Sequence, residues 1–71
     1  MLNYRAGIYS PEELLLFRRV FENALASLPL PMRGGETRAH VARNILDCAA
    51  SGERDPVELG IAALRRVKVA A

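Results

Sequence analysis

The chain has no tryptophan, only four other aromatic residues, one cysteine, one histidine and one lysine among its 71 residues. Each scarcity excludes something. A lone thiol, Cys48, has no intramolecular disulfide partner, and without a second cysteine there is no zinc-finger spacing, so a reducing compartment is expected. A lone histidine leaves no second imidazole to share a metal. No apolar run approaches the ~20 residues of a membrane span. Met1 to Ser10, interrupted by Asn3 and Arg5, is too short and too polar for the apolar stretch of a signal peptide. A cytoplasmic protein without membrane attachment is the expectation. Charge of one sign is lacking too: ten basic and eight acidic residues leave a net charge of +2 at pH 7. Nine of the ten basic residues are arginine. With the abundance of alanine, this reads as the codon usage of a GC-rich genome before it reads as phosphate recognition.

Apolar surface is what the chain has in excess. Hydrophobic residues make up 51% of a sequence long enough for one domain only, and a domain of this size buries roughly 60% of the surface its unfolded chain exposes. Three short helices do not easily hide that much, and small scaffolds commonly solve the problem by oligomerising. A homodimer or higher assembly is expected.

Two copies of one helix-start signal organise the chain. Ser10-Pro11-Glu12-Glu13-Leu14 and Asp55-Pro56-Val57-Glu58-Leu59 each place a cap, a proline, a glutamate and a leucine in the same order. The cap side chain accepts from orphan amides, proline sits at N1 where its missing N–H costs nothing, and the N3 glutamate reaches back to the cap. Tyr9 and Leu14 stand where the two halves of a hydrophobic staple belong.

The spacing predicts a single all-α domain over 1–71, with an extended arm over 1–9 and three helices over about 11–28, 36–51 and 56–69. The arm packs through Tyr4, Ile8 and Tyr9. In the first helix Leu14, Phe17, Phe21, Ala24, Leu25 and Leu28 form an inward stripe of helical period, and Leu15, Leu16 and Val20 widen it into a surplus face for a partner. Leu28 to Gly35, with Pro29, Pro31 and the Gly34-Gly35 pair, is the loop. In the second helix Val41, Ala42, Ile45, Leu46, Cys48 and Ala49 face inward, Glu36, His40, Arg43, Asn44, Asp47 and Ser51 face solvent, and Gly52 is the left-handed residue that stops it. In the third, Val57, Ile61, Leu64 and Val67 point inward, and Gly60 beside them invites the close approach of another helix, since glycine costs up to ~1 kcal/mol there. Arg65, Arg66 and Lys68 complement the dipole of its last turns.

None of the chemistry-bearing groups forms a convincing site. His40 with Glu36, Asn44 and Asp47 offers too few strong ligands for a metal and reads as a solvated face. Cys48, near a helix C-terminus with no base beside it, reads as buried and inert. Arg33-Gly34-Gly35-Glu36 precedes a helix but lacks the strand and lysine of a phosphate loop. No nucleophile elbow or apolar carboxylate pair is present. The expectation is a non-enzyme without cofactor, self-associating through Leu15, Leu16, Val20 and Gly60, with a protein partner of unspecified identity and a regulatory role. The alternative is a DNA- or RNA-associated regulator in which the second and third helices form a helix-turn-helix and Arg65 and Arg66 touch phosphate. Asp55, Glu58 and Glu53 at the start of the reading helix argue against it.

Tyr9 to Leu14, Phe21, Leu28, Arg43-Asn44-Ile45-Leu46 and Gly52-Glu53-Arg54-Asp55-Pro56 together resemble a group of short bacterial all-helical proteins of unknown function. The resemblance implies a compact helical fold and carries no catalytic or binding residue with it.

Overall fold

The computed structural model describes residues 9–68. The expected packing of Tyr4 and Ile8, and the last residue assigned to the third helix, Val69, lie outside the described residues. Among these there are three α-helices and no strand: α1 over Pro11–Ala26, α2 over Gly35–Ala50 and α3 over Pro56–Ala63, with a short 3-10 turn over Leu30–Met32 in the first loop. Each helix packs against the other two. The chain is thus a small all-α domain.

Both helix starts form as their sequences require, with one difference. At α1 the Ser10 Oγ accepts from the Glu13 amide at 3.1 Å while Glu13 Oε1 accepts from the Ser10 amide at 2.7 Å, a complete capping box. At α3 Asp55 Oδ1 accepts from the Val57 amide at 3.0 Å. The reciprocal bond to the cap comes from Glu53 Oε2, 3.1 Å from the Asp55 amide, rather than from Glu58. The staple expected of Tyr9 and Leu14 takes another form: Leu14 is exposed, and the Tyr9 ring packs edge-on against Phe17 with centroids 5.0 Å apart.

The core is made of Phe17, Val20, Ala24 and Leu25 of α1, Leu28 beyond it, Val41, Ile45 and Ala49 of α2, and Leu59, Ala62 and Ala63 of α3. Val20 is therefore part of the core and not of a surplus face. Leu46, expected inward, is exposed. In α3 the orientation differs most: Val57 is 66% and Ile61 63% exposed. A helix apolar around nearly its whole circumference gives no periodic signal for its buried side. The alanines at 62 and 63 turn inward because they let α3 lie close.

Helix ends depend on side chains from elsewhere. Arg33 Nε donates to the Leu28 carbonyl at 2.8 Å and its Nη2 to Ala26 at 3.0 Å, closing α1. Gly52, with φ +103°, stops α2 as expected. Arg54 Nη1 donates to the carbonyl of Ala49 at 2.7 Å. The third helix stops at Ala63, six residues before the expected end. Asn44 Nδ2 donates to the carbonyls of Ala63 and Arg65 at 3.0 and 2.9 Å, and His40 Nε2 lies 3.0 Å from the same Arg65 carbonyl. The chain turns there, Arg66 adopting φ +64°, and Val67 packs back onto the core. Arg65 and Arg66 accordingly lie past the helix rather than in its last turns.

Arg54 ties the ends together. Its Nε donates to Glu13 Oε2 at 2.9 Å, and its guanidinium lies 5.5 Å from the Tyr9 ring centroid and 5.3 Å from that of Phe17. Two results are expected. Arg54→Ala lowers stability by ~1–2 kcal/mol, roughly 5–15 °C in melting temperature, and Arg54→Lys recovers only part because it cannot span the same acceptors. A melting temperature unchanged in Arg54→Ala would remove the contact from the energetics. The bond from the Ser10 amide, and then that from Arg54, hold the Glu13 carboxyl below the ordinary glutamate range. Its folded pKa being the lower one, its contribution is fully present above the unfolded value of about 4.3 and disappears as pH falls through the folded value. Thermal melts of Glu13→Gln should therefore show a shallower acid destabilisation than the native chain.

Candidate functional site

A groove of about 520 Å³ runs between α1 and α3. Its α1 wall carries Glu12, Leu15, Leu16, Arg19, Asn23 and Ser27, its α3 wall Pro56 and Gly60 with Leu64 just past the helix, and Val20 and Ala24 form the floor. The four residues expected at an interface, Leu15, Leu16, Val20 and Gly60, are thus brought together. They differ in what they offer. Leu15 is 64% exposed, Leu16 is half-buried with its inner side against the core, and Val20, 4% exposed, is a floor residue already packed within the chain. Val20 faces inward because α1 packs against both other helices, and the second contact claims the edge of the stripe that the sequence leaves unassigned.

Gly60 lies beside open space. Among the described residues a Cβ at this position would meet no atom within 4 Å beyond its chain neighbours and its own helix backbone, so no described helix makes the close approach expected there. Val57 and Ile61, each one residue on from the lining positions Pro56 and Gly60, extend the apolar surface beyond the groove. The reading from sequence missed them, together with Glu12 and Arg19. The four-residue steps from Pro56 to Gly60 to Leu64 were the available signal, masked by the apparent inward stripe of Val57 and Ile61.

The opposite side of α1 carries a smaller concavity of about 360 Å³. Phe17 and Phe21 of α1 and Ala42, Ile45 and Leu46 of α2 line it, and the Arg38 guanidinium lies over the Phe21 ring at 5.1 Å. An exposed ion pair, Arg18 Nε to Glu22 Oε2 at 3.5 Å, runs along the rim.

A third, polar concavity lies between α2 and the turn after α3. His40, Arg43, Asn44, Asp47, Arg65 and Arg66 line it. His40 and Asn44 do not form a free solvated face: both are engaged by the Arg65 carbonyl. Among the described residues Arg43, Arg65 and Arg66 take part in no ion pair, and no three histidine, cysteine or acidic side chains are grouped to hold a metal. Cys48 is half-buried and packs on the core. Arg33 is committed to the α1 carbonyls and is not turned toward the Gly34-Gly35 segment as a phosphate ligand would be. No helix is long and apolar enough to cross a membrane among the described residues.

Since alanine at position 60 gains helix propensity and meets open space, Gly60→Ala should raise the melting temperature of the monomer by several degrees, about 0.5–1 kcal/mol. A lowered melting temperature would mean that position 60 is covered in solution by something this chain does not supply. No protein-family model, curated protein or solved structure matches the chain.

Proposed function

We propose that the protein is a small cytoplasmic interaction module, without catalytic activity, that self-associates through the groove between α1 and α3 and acts as a regulatory component. Kinship with short bacterial all-helical proteins belongs to the same proposal. One observation supports it above the others: Leu15 on one wall and Val57 and Ile61 beside the other are each more than three-fifths exposed. Large apolar side chains grouped at a concave surface mark protein contact, whereas scattered single ones need no explanation. The centre of such a contact is apolar and its rim polar, the order in which Leu15 and Leu16 stand between Glu12 and Arg19.

Leu16→Glu is expected to give a folded monomer, read by sedimentation and by helicity from circular dichroism. Loss of all helicity would assign Leu16 to the core, and an unchanged oligomer would remove it from the interface. Leu15→Glu, at the more exposed position, separates these cases because its side chain carries little of the core.

A second reading, association with DNA or RNA, draws support from the polar concavity, where Arg65 and Arg66 stand with Arg43 rather than dispersed along a helix. Its helix-turn-helix form is weakened by an α3 of only eight residues that begins with Asp55 and Glu58. Binding of this kind weakens steeply with salt because counterions are released. Arg65→Ala with Arg66→Ala should then abolish most nucleic-acid affinity at 50 mM salt, as read by fluorescence anisotropy on a mixed-sequence duplex and a single strand. Equal binding by the double variant would dismiss the reading.

A further inference from the structure

The charges on the α1 wall of the groove stand in a self-complementary order. Glu12, Leu15, Leu16 and Arg19 all line the groove, and their spacing of three and four residues puts them on one face of the helix. Glu12 and Arg19 stand two turns apart, about 10.5 Å along the axis, with the leucine pair midway between them. Among the described residues neither is in an ion pair, Glu13 and Arg18 being the neighbours that are. The face is therefore negative at one end, positive at the other and apolar between.

Such a face is complementary to itself in one orientation only. A parallel copy in register would set Glu12 against Glu12 and Arg19 against Arg19. An antiparallel copy, related by a two-fold axis between Leu15 and Leu16, sets each Glu12 opposite the other copy's Arg19 and crosses Leu15 with Leu16. This is the isologous contact that closed dimers use. The α3 wall admits it, since among the described residues no atom beyond the chain neighbours and the helix's own backbone lies within 4 Å of where a Gly60 Cβ would stand. The exposed Val57 and Ile61 continue the apolar strip past that glycine.

We infer that the occupant of the α1/α3 groove is a second copy of this chain, its α1 antiparallel to the first, centred on Leu15 and Leu16 and oriented by two symmetric Glu12–Arg19 ion pairs. The inference rests on the self-association proposed above and adds its geometry. Rim charges of this kind fix orientation more than they strengthen binding, so the leucines supply the affinity and the ion pairs the register.

The test is a charge exchange on the full chain, followed by sedimentation equilibrium over a concentration series, with circular dichroism confirming that every variant keeps its helices. Glu12 and Arg19 are exposed, so neither substitution touches the core. Glu12→Arg alone brings two arginine pairs together and Arg19→Glu alone two glutamate pairs. Each is expected to raise the dimer dissociation constant about tenfold, 1.4 kcal/mol. An equimolar mixture of the two variants should regain the native constant as a heterodimer, and the chain carrying both substitutions should regain it as a homodimer. If the native chain dimerises but the single variants do so equally well, the antiparallel geometry is overturned while self-association stands. If the native chain is monomeric at every concentration, the self-association reading fails and the geometry with it.

Discussion

The Arg54 guanidinium holds three parts of the chain at one point. It donates to the Ala49 carbonyl at the end of α2, to the Glu53 carbonyl in the turn, and to Glu13 at the start of α1, while lying against the Tyr9 and Phe17 rings. A planar fork with several donors suits this position, because its acceptors lie in different directions around one cation and an ammonium would have to choose among them. Glu13 has a matching double duty: one carboxylate oxygen closes the capping box and the other meets Arg54. The same junction starts α3, since Asp55 caps it one residue later. Both walls of the groove thus leave from one polar knot, pinned by a bond 2.9 Å long beside the apolar core that α1 and α3 share.

Starts and ends of the helices were unequally legible, for a physical reason. A helix start is satisfied locally: Ser10 and Glu13 are three residues apart and Asp55 and Val57 two, so the motif and its partner stand in the same short string. The ends are satisfied at a distance. Arg33 reaches back five and seven residues to close α1, and His40 and Asn44 reach forward 25 and 19 to close α3. No basic residue stands in the last turn of any helix, so each end needed a donor from outside its own final turn. The α2 end, with Gly52 in the left-handed region, lies within a residue of its expected place, whereas Pro29 sets only an outer limit on α1, which ends at Ala26.

Facing directions were legible for most of the two helices that have a polar side, Leu14 and Leu46 excepted, and obscure where there is none. Phe17, Ala24 and Leu25 of α1 and Val41, Ile45 and Ala49 of α2 all lie inside as their spacing requires. In α3 only Glu58 breaks the apolar sequence from Val57 to Leu64, so the stripe could be drawn through Val57 and Ile61 or through Leu59, Ala62 and Ala63. Tertiary packing chose the second set because its alanines are small. The candidate interface shared this fate in part. Leu15 and Leu16 stood out as surplus, but Val20 was assigned to them by adjacency on the helix. Val57 and Ile61 were hidden by the same misplaced stripe.

The concavity beside α1 is larger on its α3 side, about 520 Å³, than on its α2 side, about 360 Å³. Helices α1 and α2 have 16 residues each, about 24 Å of axis, and α3 has eight, about 12 Å. Along α2 there is enough helix to bring Arg38 over Phe21 and cover the flank. Along α3, Gly60 stands between the lining positions Pro56 and Leu64 and adds no side chain to cover Leu15 and Leu16. Where α3 ends, His40 and Asn44 hold the Ala63 and Arg65 carbonyls, and the chain turns back toward the core through Arg66 and Val67. An unusual backbone conformation for arginine, φ +64°, is maintained there by bonds from α2. The opening beside Leu15 and Leu16 follows from the glycine at position 60 and not from where α3 ends, since Leu64, just past the helix, still lines the groove.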